Sequence, residues 1–219
     1  MKDEVAPISG GFSDLFGGWG ATLVDSLDAL WIMGLKKEFD EAVTAAVDID
    51  LSQSTTQQIN VFETTIRHLG GFLSAYDLSG DERLLQKARE FGDMLIVAFD
   101  TPNRMPITRW YPYSSFERSQ AADPNVLVAE IGSLSMEFTR LSIVTGDPKW
   151  YDAVKRIFDQ LEKQQNDTYL PGMWPVTINA RDMDFAGDSL FTLSAMSDSL
   201  YEYFPKVCVH CCLILVTLD

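Results

Sequence analysis

Glu63 and Arg67, four residues apart in NVFETTIRHLGGFLSAYDLSG, carry the plainest chemical signal in the sequence. At that spacing they share one face of a helix, a turn from each other. One reading is a helix-capping glutamate bridged to an arginine, a pair worth about 0.2–0.5 kcal/mol. The other is a catalytic carboxyl group in a pocket, its proton affinity tuned by the guanidinium. Spacing alone does not choose between them. A second group, Cys208, His210, Cys211 and Cys212, crowds three thiols and an imidazole together. It lacks the paired spacing of a zinc site, and no metal is expected there. A third group is aromatic: Trp110, Tyr111, Tyr113, Tyr169 and Trp174 lie in two long connections. Rings stack on the C–H faces of sugars while acids bond hydroxyls, an arrangement that suits a carbohydrate site. The alternative is that these rings pin their loops to the core.

Such groups need elements to hold them. Asn60 can cap a helix, with Glu63 reaching back to complete a capping box. Phe62, Ile66, Leu69, Leu73 and Tyr76 then recur at spacings of three and four. Gly80 is placed to end this helix and Asp81 to begin the next. Helical patterning also covers residues 19–33, 35–47, 81–98, 126–144, 148–164 and 189–204. Residues 48–58, 100–125 and the stretch NDTYLPGMWPVTINARDMDF read as connections. LSGDERLLQKAREFGDML and VTGDPKWYDAVKRIFDQL align without gaps at an offset of 66, and MGLKKEFDEAV is a looser third copy. Each copy is helix, glycine stop, helix. Such αα-hairpins cannot bury their apolar faces alone, so they stack into a solenoid or close into a ring. The expected class is all-α.

Composition excludes several roles. The 219 residues, 46% hydrophobic and 22% charged, can bury a core. With 32 acidic against 17 basic residues, the net charge of −15 opposes nucleic-acid binding, and no basic run offsets it. No apolar stretch approaches the length of a membrane span, and the first residues lack a leader-like apolar segment. Asn166-Asp167-Thr168 is a glycosylation sequon, which fits a secretory route.

GWGATLVDSLDALWIMGLKKEFDEAV, VFETTIRHLGGFLSAYDLSGD, VAEIGSLSMEFTRLSIVTGD, PGMWPVTIN and FTLSAMSDSLYEYFPK resemble the class I α-1,2-mannosidases of glycoside hydrolase family 47, fungal members above all. The resemblance is collinear from about Asp3 to Lys206. It implies part of an (α/α)7 barrel of stacked αα-hairpins, left incomplete by this length of chain. It further implies inverting hydrolysis of terminal α-1,2-linked mannose from high-mannose N-glycans, a calcium cofactor and a place in the secretory pathway. Position by position, it implies Glu63 as a general acid acting through water, with Arg67 beside it. Asp198 becomes a second catalytic carboxylate, and Asp25, Glu130 and Glu202 acids of the substrate site. Met196 stands where the family carries arginine or a smaller apolar residue, which implies broader glycan specificity. Inversion needs one carboxyl to protonate the leaving oxygen and another to activate water on the opposite face. Acids clustered in a dry site raise one another's pKa, as the first role requires.

The resemblance ends at YEYFPK. Residues 1–206 are expected to form the N-terminal part of a mannosidase catalytic domain, and residues 207–219, with all three cysteines, a tail outside the fold. The family's general base and its calcium-coordinating threonine have no counterpart here. No metal ligand is therefore expected in this chain, nor turnover from it alone, and a monomer if it folds, with apolar flanks that favour aggregation. Two other readings are a non-catalytic, mannose-glycan-binding quality-control relative and a helical-repeat scaffold without sugar chemistry.

Overall fold

Helices dominate the chain, and their buried residues reproduce the internal repeat. The computed structural model describes residues 1–112 and 120–217, with side chains as far as Val207. Tyr113 and the side chains of Cys208, His210, Cys211 and Cys212 lie outside the described residues. Two compact units emerge, Met1–Leu95 with Arg109–Arg118, and Ile96–Thr108 with Ser119–Asp219.

In the first unit, a short ribbon of β1 (Glu4–Val5) and β2 (Phe12–Ser13) precedes α1 (Ala21–Asp25), α2 (Leu27–Ile32) and α3 (Lys36–Val47). The single helix expected over residues 19–33 is in fact two, broken at Ser26, whose hydroxyl turns back to the Leu23 carbonyl at 3.0 Å. Strand β3 (Ile59–Asn60) pairs antiparallel with β4 (Arg109–Trp110) and leads into the central helix. That helix is α4 (Val61–Glu63), a π-helical segment (Thr64–Leu69) and α5 (Gly70–Ser79) in unbroken succession. Gly80 ends it in the left-handed conformation, φ 71°, as a C-terminal glycine does without a Cβ penalty. Helix α6 (Glu82–Ile96) follows, continued by a 3₁₀ turn (Val97–Phe99).

In the second unit, α7 (Val128–Gly132), α8 (Ser135–Thr145) and α9 (Lys149–Gln164) are followed by a long loop and α10 (Asp198–Thr217). Strand β5 (Val126–Leu127) pairs with β6 (Thr177–Ile178) inside that loop. The helix expected over 126–144 is interrupted at Ser133–Leu134. The last helix begins at Asp198, not near Ser189, and its backbone runs on through 207–217. Leu190, Leu193 and Met196 carry helical spacing, yet all three side chains are exposed in an irregular segment.

The repeat survives into three dimensions. Leu84, Lys87, Ala88, Phe91 and Leu95 are the buried side of α6; the residues 66 positions on, Trp150, Ala153, Val154, Ile157 and Leu161, are the buried side of α9. Gly80 and Gly146 stand before these helices with φ of 71° and 72°. The class is all-α, and the paired two-residue strands only fasten loop ends.

Candidate active site

The Glu63–Arg67 pair forms, and it recruits a third member. Asn60 caps the helix, its Oδ1 accepting the Glu63 N–H at 3.2 Å. Glu63 does not close the capping box; its Oε2 accepts from Arg67 Nε at 2.7 Å. Arg67 Nη1 also donates to Asp25 Oδ2 at 3.4 Å, and the guanidinium lies 4.8 Å from the centre of the Phe16 ring. One arginine thus ties α1 to the central helix through two carboxylates. Partial desolvation raises the pKa of Asp25 above the ordinary carboxylate value, and the Arg67 charge pulls against it.

Two local devices place this trio. The π-helical turn widens the helix where Arg67 sits, a feature frequent at functional sites. One turn on, Gly71 lets α1 come close: a Cβ there would lie 2.8 Å from the Val24 carbonyl oxygen and 3.0 Å from Val24 Cγ1. Val24 precedes Asp25, so this contact sets the reach of Asp25 to Arg67. Asp3, fully buried, holds the loop before α1: its carboxylate accepts the N–H groups of Phe16 and Gly18 at 2.8 Å and of Ala21 at 3.2 Å. Beneath the trio, His68 is buried, stacked on Phe91 at 5.1 Å and met by the edge of Trp19. Burial pushes its pKa down to about 4, so the imidazole is neutral at pH 7. The depression beside Glu63, lined by Phe16, Gln58, Asn60 and Thr64, has a volume of only about 10 Å³. A hexose does not fit within it.

The second unit holds the other expected acids. Glu130 is buried on α7. Met196 has an exposed side chain and φ of 76°, a backbone conformation rare for a residue with a Cβ and one that clusters at functional sites. Its carbonyl accepts from Ala129 N at 3.2 Å, which fixes it against α7 next to Glu130 in sequence. Asp198 opens α10, exposed, with Oδ1 accepting the Ser199 N–H at 2.9 Å. Glu202, one turn on, is also exposed and lies 3.8 Å from Lys206. The start of α10 is clamped from several sides. Ser199 meets the Ser133 hydroxyl at 2.9 Å, and Leu200 packs on Gly132, where any Cβ would collide with it. Tyr201 bonds both N–H and carbonyl of Trp174.

The loop aromatics divide. Trp110 and Trp174 are buried, the latter donating Nε1–H to the Leu161 carbonyl at 3.1 Å, so they pin loops rather than offer faces to a ligand. Tyr111 and Tyr169 are exposed.

Comparison with known proteins gives the family of the chain. The family model described as glycosyl hydrolase family 47 matches residues 1–212. The chain belongs to that family. The rat endoplasmic reticulum mannosyl-oligosaccharide 1,2-alpha-mannosidase is 41% identical over 204 residues, covering 93% of this chain and 30% of the relative. The Arabidopsis thaliana mannosyl-oligosaccharide 1,2-alpha-mannosidase MNS1 is 40% identical over 214 residues, covering 95% and 37%. Among solved structures, the alpha-1,2-mannosidase from Trichoderma reesei superposes with a TM-score of 0.80 at 29% identity, over 92% of this chain and 44% of that one. The family 47 chain described here therefore spans less than half the length of each of these proteins. The fold class expected from the resemblance, all-α of the (α/α)7-barrel kind, stands.

Sequence reasoning missed one acid of this family 47 chain whose carboxyl oxygen is buried. Glu137 on α8 accepts the Tyr203 hydroxyl at 2.9 Å, its Oε2 has no partner among the described residues, and burial raises its pKa to about 7. Glu137 stands between Met136 and Phe138 in SLSMEFTRL, and an acid flanked by two large apolar residues was the available clue. Among the described residues no group of three or more His, Cys, Asp or Glu side chains converges on a metal position, and Asp25 and Glu63 are already paired with Arg67.

Proposed function

We propose that this chain is part of a catalytic unit that removes terminal α-1,2-linked mannose from high-mannose N-glycans with inversion at the anomeric carbon. The observation that carries the reading is the trio Asp25–Arg67–Glu63, built on a π-widened helix within the segment that bears the family's FETTIR motif. In the proposed chemistry Glu63 delivers a proton, through water, to the leaving glycosidic oxygen, while a carboxylate on the opposite face activates the attacking water. Arg67 orients Glu63 with one N–H and holds Asp25 with another, which leaves the second Glu63 oxygen for the proton path. Asp198 is the second catalytic carboxylate. Glu130, Glu202 and Met196 meet the glycan, with Met196 setting branch preference by contributing no hydrogen bond. Calcium belongs to the complete unit. Residues 207–219 are proposed to be dispensable to this site, although α10 continues through most of them. The named location of the rat relative supports work in the secretory pathway.

The test is mannose release from an α-1,2-linked mannobiose in the presence of calcium, followed by NMR. The 219 residues alone are expected to give no turnover. Joined to the remaining length of the Trichoderma enzyme, they are expected to release mannose that appears first as the β-anomer. α-Mannose as the first product, or a folded hybrid with no turnover at all, would refute the proposal.

A further inference from the structure

Asn166-Asp167-Thr168 is the one N-x-Ser/Thr sequon in the sequence, and the structure treats its two functional side chains differently. Helix α9 ends at Gln164, and the chain turns at once, with Asp167 N–H donating to the Gln164 carbonyl at 3.0 Å. Asn166 is exposed on this turn. Thr168 is 5% exposed, and its hydroxyl donates to the Met173 carbonyl at 2.8 Å. The loop closes behind it through Gly172 N–H to the Gln165 carbonyl, 2.8 Å, and Met173 N–H to the Leu170 carbonyl, 2.9 Å.

We propose that Asn166 is an N-glycan acceptor of this chain and that it receives its glycan before this loop folds. The motif requires both the asparagine amide and the hydroxyl two residues on. Folding leaves the first in solvent, with room for a glycan, and takes the second away into a hydrogen bond inside the loop. The acceptor is thus readable only while the chain is still unfolded, and the folded loop carries the product. In the transfer, Asn166 Nδ2 attacks the anomeric carbon of a lipid-linked oligosaccharide diphosphate. The C–N bond forms, the C–O bond to phosphate breaks with its electron pair leaving on the lipid diphosphate, and the amide gives up one proton. The inference rests on exposure to a secretory compartment and not on the catalytic roles above.

Two arms test it. In the first, the 219-residue chain is secreted behind a cleavable leader from a eukaryotic host, beside a control sequon protein in the same cells. Peptide N-glycosidase treatment in heavy-oxygen water is expected to label residue 166 as aspartate. Asn166→Gln and Thr168→Ala are expected to abolish the label, and Thr168→Ser, which keeps the hydroxyl, to restore it. A modified control with no label at Asn166 would overturn the site. In the second, purified oligosaccharyltransferase with a lipid-linked donor is offered the bacterially produced chain, folded or held in mild denaturant, and a peptide of residues 162–172. The peptide and the unfolded chain are expected to be modified, and the folded chain about tenfold or more slowly, because the loop must first open. Equal rates for folded chain and peptide would overturn the order of events while leaving the site intact.

Discussion

An unfolded His68 takes up a proton as pH falls below 6.5, whereas the folded one, sealed against Phe91 and Trp19, holds out to about pH 4. Stability therefore declines as pH drops through that window, at up to about 1.4 kcal/mol per unit. Glu137 works in the opposite sense. Its folded carboxyl keeps a proton to about pH 7, while an unfolded one releases it near 4.5, so stability declines as pH rises between those values and then levels off. Urea midpoints measured from pH 4 to pH 8 are expected to peak between the two windows' outer limits. Glu137→Gln, which keeps the Tyr203 contact without a charge, is expected to flatten the alkaline side and raise stability at pH 8 by about 1–3 kcal/mol. An alkaline side unchanged in that variant would mean that the folded Glu137 loses its proton as early as the unfolded one does. Arg67 matters at this scale for a different reason: it is half-buried between two carboxylates. Arg67→Ala is expected to leave Asp25 with its desolvation unopposed and so raise the Asp25 pKa further, as carboxylate NMR titration would read. A fall in that pKa would contradict the geometry.

The central helix shows what a helical element can and cannot reveal in its sequence. Its Asn60 cap, Gly80 stop and Glu63–Arg67 pairing are local, depending on residues within one turn, and all were legible. The π-helical turn was not, because six residues are too few to separate its period from that of an α-helix. The third member, Asp25, is 42 residues from Arg67; its approach depends on the missing side chain of Gly71, which pattern reading treats as a gap in the apolar stripe. Gly71→Ala is expected to push Val24 and α1 outward, costing about 1–3 kcal/mol in stability and lengthening the Arg67–Asp25 contact. A urea midpoint equal to that of the parent chain would show that α1 has slack to spare. The segment before α10 misled for the reverse reason. Leu190, Leu193 and Met196 have helical spacing yet are exposed among the described residues, and the left-handed Met196 ends any helix before Asp198. Spacing reports periodicity; it does not report what lies opposite.

At the scale of the whole molecule, the repeat at an offset of 66 was the most informative sequence signal, since it fixed the buried faces of α6 and α9 together. The acids were less legible, because each is an ordinary charged residue on its own helix and only the resemblance singled out Asp25, Glu130, Asp198 and Glu202. The chain spans 30% of the rat relative and 44% of the Trichoderma enzyme. Ile32, Met33, Leu190 and Leu193 are exposed in it, and apolar surface of that kind favours association. The net charge of −15 opposes it. The central claim is that Glu63 is the acid of an inverting mannosidase site and not a helix-capping pair. The direct measurement is kcat for release of α-1,2-linked mannose by the hybrid completed with the Trichoderma remainder, parent against Glu63→Gln, with circular dichroism on both. The expected result is a fall in kcat of about 10²- to 10⁴-fold with the fold unchanged. An unchanged kcat in a fully folded Glu63→Gln hybrid would contradict the account.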